Sequence, residues 1–352
     1  MIKNTAATDT SRREAILADI AVPPVIFGTS ALGNLFMALE YIDKYTIVRE
    51  CLHLSGGAPV FDSAGKYGVG LALESLGAYL RALRVKPDEV VISNKLGWLR
   101  TSLQGPEPSF EPGVWKDIRH DAVQKIGYEG ILECFEQGNR LLNGYSPQLV
   151  SVHDPDEYLA RATGEEHAKA LYNDVLEAYR ALYQLKTEGK VRAIGVGAKD
   201  WRTIQRIARD VSLDWVMFAT SMTILRHPAE LLLFIRELEE AGVFVINSAV
   251  FHSGFLVGGS YYDYQPIQPD MPEHQALFQW REQFFRICKD FSIKPAEACV
   301  QFALQVPGVK SIALNTSDAG RVKQNITMAH ARIPAAFWQT LRAQGLIRIE
   351  VG

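Results

Sequence analysis

The chain has 352 residues, 47% hydrophobic and 22% charged, with Lys+Arg 37 against Asp+Glu 40 and a formal charge of −3. That is enough apolar material for a large globular core. The near-neutral balance argues against an electrostatic nucleic-acid binder or a basic membrane face. Cys51, Cys134, Cys288 and Cys299 are scattered with no C-x-x-C pair, so free thiols in a reducing cytosol are expected rather than a disulfide scaffold or zinc site.

The opening MIKNTAATDTSRREAILADI has no apolar core of signal-peptide type, and no run is long enough to span a bilayer. Residues 1–22 read as a tail or flanking segment, and 23–352 as one cytoplasmic domain. Eight short apolar runs follow: 25–33, 59–65, 90–97, 149–156, 193–200, 215–222, 243–250 and 311–318. They are rich in Val, Ile and Phe and largely uninterrupted, as parallel strands buried on both faces require. Helical periodicity lies between them, notably over 68–83, 130–144, 171–190 and 228–242, with Gly144 placed as a helix stop. Strand and helix alternating eight times predict a single (β/α)8 barrel (TIM barrel), with a doubly wound sheet as the rival. Long connections over 98–127 and 251–275 follow strands three and seven. In a barrel these loops stand over the C-terminal strand ends, where active sites form.

The strand ends carry the chemistry. Asp62 closes strand two, Lys95 strand three and His153 strand four, and Tyr67 lies just past Asp62 in FDSAGKYG. Neighbouring parallel strands are about 4.8 Å apart, so these groups converge over one mouth. Asp62 would keep a buried Lys95 charged, and Lys95 would lower the tyrosine pKa towards a usable value. Tyr67 could then exchange a proton with a carbonyl or alcohol oxygen, which His153 could orient. With no obvious covalent nucleophile except Lys95 itself, the set suits hydride transfer with a bound nicotinamide. Taken singly, each residue has a plainer reading: a helix-capping Asp62, a solvated or ion-paired Lys95, a packed Tyr67, a turn at His153.

Together, FDSAGKYGVGLALESLG, ISNKLG and SVHDPD resemble the aspartate–tyrosine, lysine and histidine motifs of the aldo-keto reductases. The resemblance spans roughly 24–328 and implies the (β/α)8 barrel, an NAD(P)-dependent oxidoreductase, and a tetrad of Asp62, Tyr67, Lys95 and His153. FGTSALGNLF, AYRALYQLKTEGKVRAIGVG and VFHSGFL are similar to the branch containing L-fucose dehydrogenase and D-threo-aldose 1-dehydrogenase, whose members oxidise a sugar hemiacetal or comparable alcohol.

No Rossmann fingerprint is present; GVGLAL and GVGAKD lack the third glycine and fit packing equally well. The resemblance instead implies nicotinamide contacts at Gly28, Thr29 and Ser30, with Asp62 beside them. It implies stacking and phosphate contacts at Ser248, Phe251, Ser253, Gly254 and Leu256. After strand eight, Arg321 and Asn325 keep the family spacing, while Asn315, Thr316 and Ser317 replace its glycine, serine and basic residue. The missing lysine leans towards NAD over NADP, although Arg321 could still pair with a phosphate. GVGAKD has Gly197 and Ala198 where the family often has a Ser-Asn pair that holds the carboxamide, and Lys199 where the branch tends to have Asn; TSMTIL also departs from the branch pattern.

Trp98, Trp115, Tyr261, Tyr262 and Tyr264 could stack on a sugar or simply anchor the loops. Trp98 and His153 are the substrate candidates, and no metal is expected. An aldose 1-dehydrogenase is the expected activity. The alternatives are an NADPH-dependent carbonyl reductase, a non-catalytic cofactor-sensing subunit, and, more remotely, a Schiff-base aldolase using Lys95.

Overall fold

The computed structural model describes residues 20–350. The expected N-terminal segment therefore lies, up to residue 19, outside the described residues. The eight barrel strands are β1 (Val25–Gly28), β2 (Val60–Ala64), β3 (Val91–Leu96), β4 (Leu149–His153), β5 (Ala193–Ala198), β6 (Trp215–Ala219), β7 (Phe244–Ser248) and β8 (Val309–Leu314). All pair in parallel, and β8 closes on β1. The sequence-expected barrel is thus the observed fold. Each strand is shorter than its apolar run because the run's last residues have already left the ladder for the mouth.

The outer helices present apolar faces to the barrel. The central ones here are α1 (Tyr41–Leu54), α2 (Leu71–Ala82), α3 (Tyr128–Leu142), α4 (Glu165–Thr187) and α5 (Trp201–Asp210). Two boundaries differ from expectation. Helix α2 starts at Leu71 rather than 68, because Gly68, Val69 and Gly70 all have positive φ and form a turn. Helix α3 ends at Leu142, where left-handed Asn143 caps it before Gly144.

Inside the barrel, the first layer is apolar: Val60, Val91, Leu149, Ala193 and Trp215 begin their strands, and Ile20 packs against them. Trp215 fills much of this space because Gly195 has no Cβ; one there would fall 2.4 Å from the indole. The long loops are ordered. The first contains an antiparallel hairpin, Trp98–Thr101 with Asp121–Gln124. Its tip is gathered by Asp121, which accepts from the amides of Gln104, Ser109 and Phe110. The second contains a two-stranded ribbon, Tyr261–Tyr262 with Gln265–Pro266. All four cysteines are free and buried, and among the described residues no helix is long and apolar enough to cross a membrane.

Helices α2 and α3 touch backbone to backbone at Gly77, where a Cβ would lie 2.3 Å from the Leu142 carbonyl oxygen. Gly77→Ala should therefore destabilise the fold by about 1–3 kcal/mol, since neither backbone can yield freely. A lower urea midpoint at unchanged slope is the expected result; an unchanged midpoint would show that the helices separate at no cost.

Candidate active site

Strand register assembles the site. On β2 and β3, Asp62 is level with Ser93, and Ala64 with Lys95; on β4 and β5, His153 is level with Gly197. Asp62, Ser93, Lys95 and His153 all point into the barrel, as their alternate positions require. Lys95 Nζ lies 2.5 Å from Asp62 Oδ2, and Ser93 Oγ donates to Asp62 Oδ1 at 3.2 Å. Both charged residues are almost wholly buried. Gly197 makes room for the lysine, since a Cβ there would stand 3.2 Å from Lys95 Cδ. The glycines of GVGAKD are therefore packing devices for Trp215 and Lys95.

Tyr67 reaches this pair from the β2–α2 turn. The turn follows the strand so closely because its residues are small. A Cβ on Gly65 would meet the Trp98 carbonyl oxygen at 2.5 Å, and one on Gly68, at φ 58°, would meet the Gly33 carbonyl oxygen at 2.3 Å. The Lys95 ammonium sits 4.8 Å from the Tyr67 ring centroid. His153 meets the same ring edge-on at 5.6 Å, and Trp115 leans on it at 5.9 Å. Structure thus brings together all four tetrad candidates.

The protonation states follow from burial. Burial, then the Lys95 and Lys66 ammonium groups, hold His153 well below its ordinary value, so the imidazole is neutral. Its Nδ1 is buried without a hydrogen-bond partner among the described residues, and its Nε2 is 3.5 Å from Asp154 Oδ2. Tyr67 departs from expectation. Burial and then the Asp62 carboxylate push its phenol well above its ordinary value rather than below it. The sequence argument counted the lysine charge; in the fold Asp62 sits on that lysine and offsets it.

A second set of charges adjoins the first, and sequence reasoning missed it. Lys66 Nζ lies 3.1 Å from Asp154 Oδ2, 2.7 Å from Glu157 Oε2 and 3.3 Å from Glu111 Oε1. Lys199 Nζ meets the other oxygen of Glu157 at 2.5 Å. Burial opposes the Lys66 charge, yet Asp154, Glu111 and Glu157 outweigh it and raise its pKa. Only Lys66 could have been flagged, as a lysine inside the FDSAGKYG turn; nothing in the sequence links Glu111 to it.

The remaining candidates are distributed around the mouth. Thr29 donates both its amide and its hydroxyl to the Asp62 carbonyl, each at 3.0 Å. Ser30 opens a short 3-10 turn, and Asn315 Oδ1 accepts from the amide of Ala31 at 3.2 Å. Ser248 Oγ donates to the Phe218 carbonyl, and Ser253 Oγ accepts from Tyr264 N. Phe251 is half-buried. Leu256 is fully buried and its amide bonds Phe251, so it shapes the loop rather than offering an open contact. Thr316 and Ser317 lead to Asp318, whose Oδ1 accepts from Gly320 N at the start of α6 (Gly320–Met328) and whose Oδ2 is 3.6 Å from Arg321. Asn325 is buried on that helix. Trp98 packs on Phe110 at 5.0 Å, and its indole N–H is buried without a partner among the described residues; Trp115 is the tryptophan whose ring lies against Tyr67. The loop after β7 is pinned by His252, another residue the sequence did not single out. Its Nδ1 is 2.6 Å from Asp263 and its Nε2 2.7 Å from Thr223 Oγ1.

A protonated phenol and a neutral imidazole beside a buried ion pair can pass a proton to or from an oxygen with no protein nucleophile. Comparison with known proteins agrees with that chemistry. The profile of the Aldo/keto reductase family matches residues 24–344. The chain belongs to the aldo/keto reductase family. It is accordingly a nicotinamide-dependent oxidoreductase. It is 28% identical to a D-threo-aldose 1-dehydrogenase of Pseudomonas sp, covering 95% of this chain and 97% of that one. It is 26% identical to a pyridoxal 4-dehydrogenase of Microbacterium luteolum (93% and 95%) and 25% identical to an L-galactose dehydrogenase of Arabidopsis thaliana (87% and 84%). The fold is shared with an aldo-keto reductase from Bacillus halodurans in its holo form, at TM-score 0.67 and 19% identity over 94% of this chain and 93% of that one.

The residues present fit a nicotinamide dinucleotide. Gly28 puts no side chain at the end of β1, and His153 Nδ1 is a buried polar atom with no partner among the described residues.

Two outcomes are expected. Lys95→Met should cost about 3–5 kcal/mol, because it strands the Asp62 charge, and Asp62→Asn added to it should recover most of that loss in urea unfolding. Nitrogen-15 NMR should find His153 neutral at about pH 6.5, where an ordinary histidine is half charged. The native state then refuses a proton that the unfolded chain takes, so this group makes stability fall as pH drops through about 6.5.

Proposed function

We propose that this enzyme oxidises the anomeric carbon of an aldose of the L-fucose or L-galactose type, with Tyr67 as the acid/base group. The observation that carries the reading is the Tyr67 ring held between the Lys95 ammonium and the His153 edge, at 4.8 and 5.6 Å. His153, being neutral, can hydrogen-bond the reacting oxygen without holding a competing charge. Tyr67 exchanges the proton of that oxygen, and Lys95, kept charged by Asp62, steadies the phenolate when it forms. A bound nicotinamide supplies the hydride acceptor or donor. Gly28, Thr29, Ser30, Ser248, Phe251, Ser253 and Gly254 would hold it, with the loop Asn315–Ser317, Arg321 and Asn325 at the other end. The sugar preference is supported by the dehydrogenase relatives named above and by the Trp115 ring beside Tyr67, which suits a sugar face.

NAD is the proposed cofactor. Asp318 occupies the N-terminus of α6 and stands beside Arg321, the cation that would otherwise receive the 2′-phosphate of NADP. A carboxylate there repels a phosphate. One observation favours a second reading, reduction of an aldehyde or ketone: the raised Tyr67 pKa keeps the phenol a proton donor, as reduction needs.

Purified protein given NAD+ or NADP+ with L-fucose, L-galactose, D-arabinose and pyridoxal should reduce NAD+ with at least one sugar. Tyr67→Phe should lose about 10²–10⁴-fold in kcat. Asp318→Ser should narrow the preference for NAD+. Turnover only with NADPH and carbonyl substrates would replace the dehydrogenase reading with the reductase; cofactor binding without turnover in either direction would sink both.

A further inference from the structure

Lys66 precedes Tyr67 directly, and its side chain reaches into the set of carboxylates described above. An ammonium has three N–H donors. Here three carboxylates face it: Glu111 from the loop after β3, and Asp154 and Glu157 from the segment that follows His153. Two of those donors go to Asp154 Oδ2 and Glu157 Oε2, Glu111 stands within ion-pair distance, and the group is too buried to serve as a solubilising charge.

Burying such a cluster is not the cheapest way to stabilise a fold, since apolar residues of similar volume do as well or better. What the charges add is direction. Lys66 joins the turn that carries Tyr67 to the segment that carries His153, and ties both to the long loop. Two of its partners, Asp154 at φ 46° and Glu111 at φ 41°, sit in the left-handed region that non-glycine residues avoid. Strain of this kind persists where the surroundings over-determine it, and it gathers at functional sites.

The connection then returns to its starting point. The other oxygen of Glu111 accepts from Trp115 Nε1 at 2.7 Å, and Trp115 leans on the Tyr67 ring. The loop around Trp115 is held on its far side as well, where Phe36 N donates to the Val114 carbonyl at 2.7 Å. From Lys66 through Glu111 and Trp115 to Tyr67, the contacts form a closed ring that begins and ends on adjacent residues.

We propose that Lys66 is a positioning residue: by way of Glu111, Asp154 and Glu157 it fixes Tyr67 against His153 and seats Trp115 over the tyrosine as one wall of the substrate site. The inference rests on the reading of Tyr67 as the acid/base group.

The test compares wild type, Lys66→Met, Lys66→Arg and Glu111→Gln, using NAD+ or NADP+ and whichever sugar or carbonyl the wild type turns over. Lys66→Met should lower kcat by about tenfold to hundredfold and raise the KM for that substrate, as a misplaced acid/base group does. The dissociation constant for the cofactor alone, read by fluorescence titration, should stay within about twofold. Lys66→Arg, which keeps the charge, should restore most of kcat. Glu111→Gln should repeat the kcat loss in part, and the double variant should be no worse than Lys66→Met alone. A second readout needs no turnover: the emission of Trp115, isolated by subtracting a Trp115→Phe background, should shift in Lys66→Met. If Lys66→Met, or Glu111→Gln where the former does not fold, keeps kcat and KM within about twofold of wild type, the proposal is overturned even if the melting temperature falls. If the wild type turns over nothing, the functional reading fails separately. Lys66 is then decided by the emission of Trp115, and an unshifted spectrum overturns its role.

Discussion

Two opposite charges sealed from water inside a barrel mouth constrain everything around them. Asp62 and Lys95 face each other at 2.5 Å and Ser93 donates to the second carboxylate oxygen, so neither group is buried without a partner. That contact depends on the register of β2 against β3. A slip of one residue would turn Lys95 outward, where its neighbour Asn94 now lies against Gly138 of α3. It depends equally on Gly197, two strands away, which leaves space for the lysine chain. The barrel beneath is filled by Trp215 and the aliphatic layer.

The rest of the site is poised by this pair and by the second cluster built on Lys66. Burial, then two nearby ammonium groups, keeps the His153 imidazole neutral, while burial, then the Asp62 carboxylate, keeps Tyr67 protonated. Fixed charges in a buried mouth act strongly because little water screens them. The same cluster does mechanical work, since its members come from four separate segments of chain.

The long loops show how one barrel carries different specificities. The loop after β3 is gathered by Asp121 and laid over Tyr67. The loop after β7 is pinned by the Thr223, His252 and Asp263 chain of hydrogen bonds. That chain has the connectivity of a hydrolytic triad, but Thr223 and His252 are wholly enclosed, so it holds the loop in place.

Much of this was legible in the sequence. Eight buried apolar runs point to a parallel sheet because strands covered on both faces dispense with polar alternation, and their eightfold alternation with helices favours a barrel over a doubly wound sheet. Asp62, Lys95 and His153 were visible because strand ends in such a barrel converge, so position along the chain implies position in space. Tertiary structure alone decided the rest. The direction of the Tyr67 pKa shift is a balance of burial against neighbours that no pattern encodes. Helix α2 begins where the backbone of three residues turns left-handed, and its apolar periodicity extends past that point. Glu111 and Trp115 reach Lys66 and Tyr67 from the far side of a long loop, and the path of such a loop is set by contacts between residues distant in sequence rather than by local preference. What periodicity and strand position could reach, the sequence by itself determined; what depended on how distant segments meet and exclude water, only the folded chain decided.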